Sequence, residues 1–380
     1  MMALLQIALA IIAFQEASAP SNVRGSKFPT VDAEGRVTFR LKAPDAQKVE
    51  VKGLGSLFGG KAIPLAKGTD GTWSGTSDPV EPGFYYYNVL VDGVAVNDPG
   101  SETFFGWGRE TSGLEIPDPS LDFYTVKTVP HGEVRIRTYE SKTTGTPRRA
   151  YVYTPPSYDR EAERRFPVLY LQHGSGESAR GWTEQGKAQV ILDNLIASGK
   201  AVPMIVVMEE GYASVPGAPT GERGRSADAF GDLVVGDLVP MIDATYRTLT
   251  TRDSRAIAGL SMGGGQAIKI GLGHSELFSS VGALSGGAAG RAPAPGGSNR
   301  PEPIAKAIQD PGVFNEKTQL LFIACGTEDG GFARTKEAHD ALEKAGVRHV
   351  WFETKGAHEW QVWRKSFYEL AQRLFRNPPK

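Results

Sequence analysis

Ile257-Ala258-Gly259-Leu260-Ser261-Met262-Gly263-Gly264-Gly265 is the stretch on which the reading of this chain turns. An apolar run, Ala256 to Leu260, meets a serine between glycines, and helix-compatible residues 266–271 follow. This is Gly-x-Ser-x-Gly at a strand-to-helix turn, the pattern of a nucleophile elbow. The turn is so tight that side chains at its flanks would clash, so glycine is needed there. Ser261 is thereby lifted to the N-terminus of the next helix. Without its context the pattern is only a Gly-rich turn. The strand before it and the helix after it make Ser261 a candidate nucleophile.

Working outward, the flanking chain repeats this strand–helix texture. Val168 to Gln172 and Met204 to Met208 are nearly continuous apolar runs, as in strands buried on both faces. A helical segment, residues 188–198, lies between them. Another spans 232–246, with Leu233, Val234, Leu238, Val239 and Ile242 at helical spacing. Residues 279–284, 320–325 and 349–354 read as further strands, and 335–344 and 360–375 as helices. Two strands, 134–139 and 150–154, open the series. The alternation predicts an α/β fold over residues 133–380, doubly wound around a mostly parallel sheet.

A serine hydroxyl is a weak nucleophile and needs a base, which in turn needs an orienting acid. In such a fold the chain order is Ser, then Asp or Glu, then His. His274 lies at the far end of the helix that Ser261 starts, His339 in a helix where it is expected to be solvated, and His349 at the start of a strand. His358 follows the last strand at its C-terminal end, where an open parallel sheet places its site. The acid is expected after the preceding strand, where Gly326-Thr327-Glu328-Asp329-Gly330 offers two carboxylates; Asp329 is favoured over Glu328. The oxyanion donors are expected from the backbone: the amide of Met262, and an amide of the loop His173-Gly174-Ser175-Gly176, at Gly174 or Ser175. His173 reads as a brace for that loop. Trp360 and Trp363, close behind His358, are candidate substrate-binding aromatics, although packing of the last helix accounts for Trp363 at least as well.

Residues 27–117 have a different texture. Alternating segments such as Arg36 to Lys42 and Gly83 to Val91, with turn signals such as Asp92-Gly93, predict a small all-β, immunoglobulin-like sandwich. Trp73 and the tyrosines read as core. Phe104, Phe105 and Trp107, in a loop after the last strand, are better placed for an exposed contact surface. Residues 118–132 read as a linker. Met1 to Ala19 resembles a targeting segment: residues 3–14 are apolar but for Gln6, and Ala17-Ser18-Ala19 matches an Ala-x-Ala cleavage pattern. This predicts a secreted or periplasmic protein.

Across 380 residues the net charge is −1, so nothing points to nucleic acid or to a membrane surface. One cysteine, Cys325, excludes an intrachain disulfide and a cysteine metal cluster, and it reads as inert core. The six histidines contain no His-x-x-x-His pair, so no zinc site and no metal or other cofactor are expected. Two Gly- and Pro-rich loops, 213–227 and 285–303, follow strand ends on the site face and are candidates for covering it.

Two family resemblances follow. Ala43-Pro44, Trp73, Pro82-Gly83-Phe84-Tyr85-Tyr86, Val91-Asp92-Gly93 and Asn97-Asp98-Pro99 resemble the early-set domains found before carbohydrate-active esterases, and family-48 carbohydrate-binding modules. From about Glu133 onward the chain resembles the esterase D family, α/β-hydrolases grouped with carbohydrate esterase family 1. The carrying residues are Leu169-Tyr170-Leu171-Gln172-His173-Gly174, Asp237-Leu238-Val239-Pro240, Gly259-Leu260-Ser261-Met262-Gly263, Gly326-Thr327-Glu328-Asp329 and Gly356-Ala357-His358-Glu359-Trp360. The resemblance implies Ser261 as nucleophile, Asp329 as acid and His358 as base. It also implies a serine esterase acting on ester-decorated plant polysaccharide or its fragments, feruloyl esters first and acetyl-xylan next. Glu209-Glu210-Gly211-Tyr212 departs from the Asn-Gly that relatives often carry there. A siderophore trilactone esterase shares the same domain pairing. A non-catalytic carbohydrate-binding protein is the reading from another class.

Overall fold

A computed structural model describes residues 16–215, 229–286 and 302–376. It divides into two compact units: residues up to Thr103 together with Thr111–Asp118, and Phe104–Glu110 together with Pro119–Lys380.

In the first unit two antiparallel sheets share one core. Arg36–Lys42 and Thr72–Pro79 lie in one; Val49–Gly53, Gly83–Val91 and Arg109–Ile116 lie in the other. Alternation drives this: Val37 and Phe39 from one sheet, and Val49, Val51, Tyr87 and Leu114 from the other, point into a common apolar layer. Phe39 and Tyr87 meet edge to face, ring centroids 5.2 Å apart. Trp73 is buried, its indole N–H donating to the Ala43 carbonyl. The short strand Ala17–Ser18 pairs with Thr30–Val31, and Ala19 is buried in the same core. The expected targeting segment otherwise lies outside the described residues. Phe104, Phe105 and Trp107, expected in a loop after the last strand, instead belong to a hairpin: two strands, Thr103–Gly106 and Arg109–Ile116, joined at Trp107-Gly108.

The second unit is built on eight strands. Their order is Glu133–Ser141, Thr146–Thr154, Ile205–Glu209, Val168–Gln172, Arg255–Leu260, Ser280–Leu284, Leu320–Gly326 and Val350–Thr354. The first two run antiparallel to their neighbours, and from Ile205–Glu209 onward every pairing is parallel. The central strands are buried along their whole length, which is why their sequences read as apolar runs rather than alternations. Helices cover both faces. Helix Met262–Gly273 sits against Ile257 and Val281: a Cβ on Gly271 would come within 2.6 Å of both. On the opposite face Leu370, from helix Trp360–Ala371, packs over Gly282.

The helix expected over 232–246 is three pieces: Ala229–Leu233, a wide π-type turn Val234–Leu238, and Val239–Thr245. Pro240 accounts for the break, because it has no N–H to continue the helical bond pattern. Most of the two Gly- and Pro-rich loops, 216–228 and 287–301, lies outside the described residues.

Candidate active site

Ser261 ends the strand Arg255–Leu260 and starts the helix Met262–Gly273 with φ 52° and ψ −113°. A non-glycine residue with positive φ is strained and persists only when its surroundings over-determine it. Here they do. A Cβ on Gly259 would lie 2.5 Å from the Gly263 carbonyl, and one on Gly263 would lie 2.6 Å from the His173 carbonyl. The Ser261 N–H donates to the Leu284 carbonyl at 2.8 Å, fixing the turn from the neighbouring strand.

Asp329 and His358 follow the C-terminal ends of the last two strands of the sheet, Leu320–Gly326 and Val350–Thr354. They meet at 2.7 Å, His358 Nδ1 to Asp329 Oδ2. Asp329 is 4% exposed and His358 44%, so the pair is anchored inward and open outward. Burial pulls the Asp329 carboxyl upward, but the His358 bond and charge and the Gly331 N–H outweigh it and hold the group below the usual range. Glu328, the other carboxylate of this turn, is exposed. Backbone contacts join this pair to the elbow: the Ser285 N–H donates to the Ala324 carbonyl at 2.7 Å, and a Cβ on neighbouring Gly286 would lie 2.4 Å from the Ser261 carbonyl.

The loop His173–Gly176 reaches the serine from the other side. A Cβ on Gly174 would stand 3.2 Å from Ser261 Cβ and 2.6 Å from Leu260, so only glycine allows this approach. The helix starting at Met262 aims its first amides and positive dipole end at the same region. His173 is fully buried. Its Nε2 accepts from the Gly211 N–H at 2.8 Å, so Nδ1 carries the proton donated to the Gly174 carbonyl, also at 2.8 Å. It thus ties the loop to the segment after strand Ile205–Glu209.

That segment is where the sequence departs from the resembled pattern, and it holds a polar cluster which sequence reasoning missed. Glu209 is fully buried and receives a forked pair of bonds from Arg148, at 2.7 and 2.9 Å. Burial pushes its carboxyl up to about 7, with the Arg148 pairing working against that rise. Tyr212 accepts the Gly176 N–H at 2.7 Å and sets its ring edge-on to His173. The carriers are scattered, one on strand Thr146–Thr154, and no local spacing links them.

Residues 104–110, in the same unit, also reach this loop. The Gly108 N–H donates to the Gly176 carbonyl at 2.8 Å, Gln185 donates to the Phe105 carbonyl at 3.0 Å, and Arg180 pairs with Glu110 at 2.6 Å.

Other expected residues fall elsewhere. Trp360 and Trp363 are 1% and 5% exposed, so the structure corrects the expectation that they face substrate. Trp360 packs edge-on against Trp182 beneath Gly181, and Trp363 sets its ring at 90° to His358, 5.1 Å between centroids. Helical spacing turned both inward. His274 pairs with Glu276 at an exposed helix end. His339 is not solvated as expected: it stacks on Trp351 and bonds His349 at 2.7 Å. With Asp340 and Glu343 it forms the one set of three clustered donors found among the described residues, on a surface helix where Asp340 already pairs with Lys336. Cys325 is buried.

Fold and site together define an α/β-hydrolase with a nucleophile elbow. The chain belongs to the Esterase family, described as "Putative esterase", which matches residues 141–374. It is 38% identical over 365 residues to an endo-1,4-beta-xylanase/feruloyl esterase of Xylanibacter ruminicola, across 94% of this chain and 47% of that protein. The chain thus spans about half the length of that relative. Among solved structures it resembles a CE1 ferulic acid esterase from Anaeromyces mucronatus, with TM-score 0.55 and 29% identity over 67% of this chain and 96% of that one. The same fungal enzyme is also known in complex with ferulic acid. The enterobactin esterase FES of Shigella flexneri shares the fold, with TM-score 0.66 and 17% identity over 90% of this chain and 93% of that one.

Proposed function

We propose that the protein is a serine feruloyl esterase acting on feruloylated plant polysaccharide or its fragments. Ser261 is the nucleophile, His358 the base and Asp329 the orienting acid. The Met262 amide, with that of Gly174 or Ser175, supplies the oxyanion hole. The observation that carries the reading is the 2.7 Å bond between His358 and buried Asp329, made on the strands that follow the Ser261 elbow. The 38% identical xylanase/feruloyl esterase supports the substrate class.

In this reading His358 Nε2 takes the Ser261 proton as Oγ attacks the feruloyl carbonyl. Asp329, accepting from Nδ1–H, holds the tautomer that leaves Nε2 free and stabilises the imidazolium that forms. The amides stabilise the tetrahedral oxyanion, and the sugar hydroxyl departs with the proton from His358. Water then enters, is deprotonated by His358, and releases ferulate. Both half-reactions use the same groups, so no cofactor is needed.

The first unit is proposed to be an early-set, carbohydrate-binding module. The protein is proposed to be exported, with its leader within Met1 to Ala19. Sequencing the N-terminus of the secreted protein tests this; a cut upstream of Ala17 would leave the Ala17–Ser18 strand on the mature chain.

The experiment for the main reading is kcat/KM across methyl ferulate, a feruloylated arabino-oligosaccharide, acetylated xylo-oligosaccharide, a cyclic catechol trilactone and a long-chain p-nitrophenyl ester. The feruloyl substrates should rank first. Best turnover of the trilactone would transfer the function to siderophore release. No turnover of any ester would leave only carbohydrate binding.

A further inference from the structure

Trp107 stands at the turn of the hairpin made by Thr103–Gly106 and Arg109–Ile116. It is 60% exposed, the largest apolar side chain among the exposed hydrophobic residues described. Its φ is 59°, and Gly108 follows at 78°. Such two-residue hairpin turns favour Asn, Asp or Gly at the first position, and a bulky residue in the left-handed region is strained. A large aromatic held exposed in a strained conformation does not help the hairpin fold. Backbone outliers of this kind cluster at ligand sites.

The turn is fixed against the serine's loop, not left in solvent. Trp107 Cα would lie 3.4 Å from a Cβ placed on Gly176, and the Gly108 N–H donates to the Gly176 carbonyl at 2.8 Å. Gly174, two residues earlier, abuts Ser261. Two residues span at most about 7.6 Å, so Trp107 stands a short distance from the nucleophile, beyond the oxyanion loop. Gln185, itself buried, holds the Phe105 carbonyl, and Arg180 holds Glu110, so both strands of the hairpin end are pinned to residues 174–185.

We propose that Trp107 is a substrate-binding residue: its exposed indole stacks on a sugar ring of the alcohol part of the ester while the acyl carbonyl is at Ser261. An open, flat aromatic face suits the C–H face of a sugar, which remains largely in water. A ferulate ring would instead call for an enclosed slot. The inference rests on the feruloyl-ester reading above and adds a residue that determines leaving-group specificity.

The test compares Trp107→Ala and Trp107→Phe with the parent, in the full chain, on methyl ferulate and on a feruloylated arabinoxylo-oligosaccharide. Trp107→Ala is expected to raise KM for the oligosaccharide about tenfold with kcat little changed, and to leave kcat/KM for methyl ferulate within about twofold. Trp107→Phe is expected to recover most of the loss. Equal losses on both substrates would overturn the proposal and make the hairpin a brace for the oxyanion loop. No loss on either would overturn it too, while leaving the feruloyl reading intact. A parent that turns over neither substrate would overturn that reading and this inference with it.

Discussion

Two strained turns stand on either side of one loop. Ser261 has φ 52° and Trp107 has φ 59°, and the loop His173–Gly176 touches both. At the elbow the strain is enclosed: Gly259 and Gly263 sit where any side chain would strike backbone, and a buried strand and a helix clamp the two ends. At the hairpin the strain faces solvent and is held by three contacts from residues 70 to 80 positions away or nearly so, such as Gln185 to Phe105 and Arg180 to Glu110. Local packing therefore defines the first turn, and tertiary anchoring defines the second. The first announces itself in nine consecutive residues; the second has no sequence signature.

The largest effect should come from the enclosed turn. Ser261→Ala is expected to lower ester turnover by three orders of magnitude or more, as removal of a triad nucleophile does, with the circular dichroism spectrum and melting temperature of the parent retained. His358→Ala should behave alike. Asp329→Asn should be far more damaging than Glu328→Gln, because only Asp329 meets His358. Folded Ser261→Ala protein with near-parent activity would end the assignment; a reversed carboxylate ranking would move the acid to Glu328.

The turn at Ser261 and the meeting of His358 with Asp329 could be read ahead because the sequence places these residues in motifs at strand ends, and parallel sheets put those ends on one edge. The central strands of the second unit are legible for a different reason: full burial writes apolar runs. Trp360 faces inward against expectation because proximity in sequence to His358 does not say which face of a helix is turned in, and for Trp363 the alternative of core packing is the one found. The sequence presents the hairpin at Trp107 as a loop because Trp-Gly is not among the usual turn pairs. The Arg148–Glu209 pair was invisible, since cross-strand partners 61 residues apart carry no local pattern.

That buried pair offers the next largest effect, and it asks whether the enclosed side also depends on distant anchoring. Arg148→Met would leave Glu209 unpaired in the interior, which typically costs about 3–5 kcal/mol. The loss should depend on pH. Burial already raises the Glu209 carboxyl to about 7 from an ordinary 4.5, so its protonated form is the one that folding favours. The stabilising contribution of that raised value is full below about 4.5 and is lost as pH rises through about 7. Without Arg148 the carboxyl should rise further. The deficit in melting temperature relative to the parent should then be larger at pH 8 than at pH 5. A deficit independent of pH would mean that Arg148 acts through packing alone.

A smaller effect is expected where the two turns meet. Gly176 has φ 81°, and a Cβ there would lie 3.3 Å from the Gly108 nitrogen. Gly176→Ala should cost roughly 1–2 kcal/mol from the left-handed backbone. By pushing the hairpin end off the loop it should also raise KM for feruloylated oligosaccharide more than for methyl ferulate. Measured stability and the two KM values separate these contributions. Unchanged stability with unchanged KM would mean that the hairpin end is not held by this contact.

The smallest expected effect concerns the lone cysteine. Cys325 lies at the end of strand Leu320–Gly326, four residues before Asp329, and is 1% exposed. Burial, and then the Asp329 charge, push its thiol up to about 11. At pH 8 roughly one molecule in a thousand would carry the thiolate, the only reactive form, and that thiolate would still be shielded from solvent. Excess iodoacetamide at pH 8 should therefore leave the native protein unmodified by intact mass and its ester turnover unchanged, while the urea-unfolded chain takes up one label. Rapid labelling of the folded protein would show that the strand end opens readily. Labelling accompanied by proportional loss of turnover would bring the thiol into the reaction, and with it would fall the contrast between an enclosed, locally defined nucleophile turn and an open, distantly anchored one.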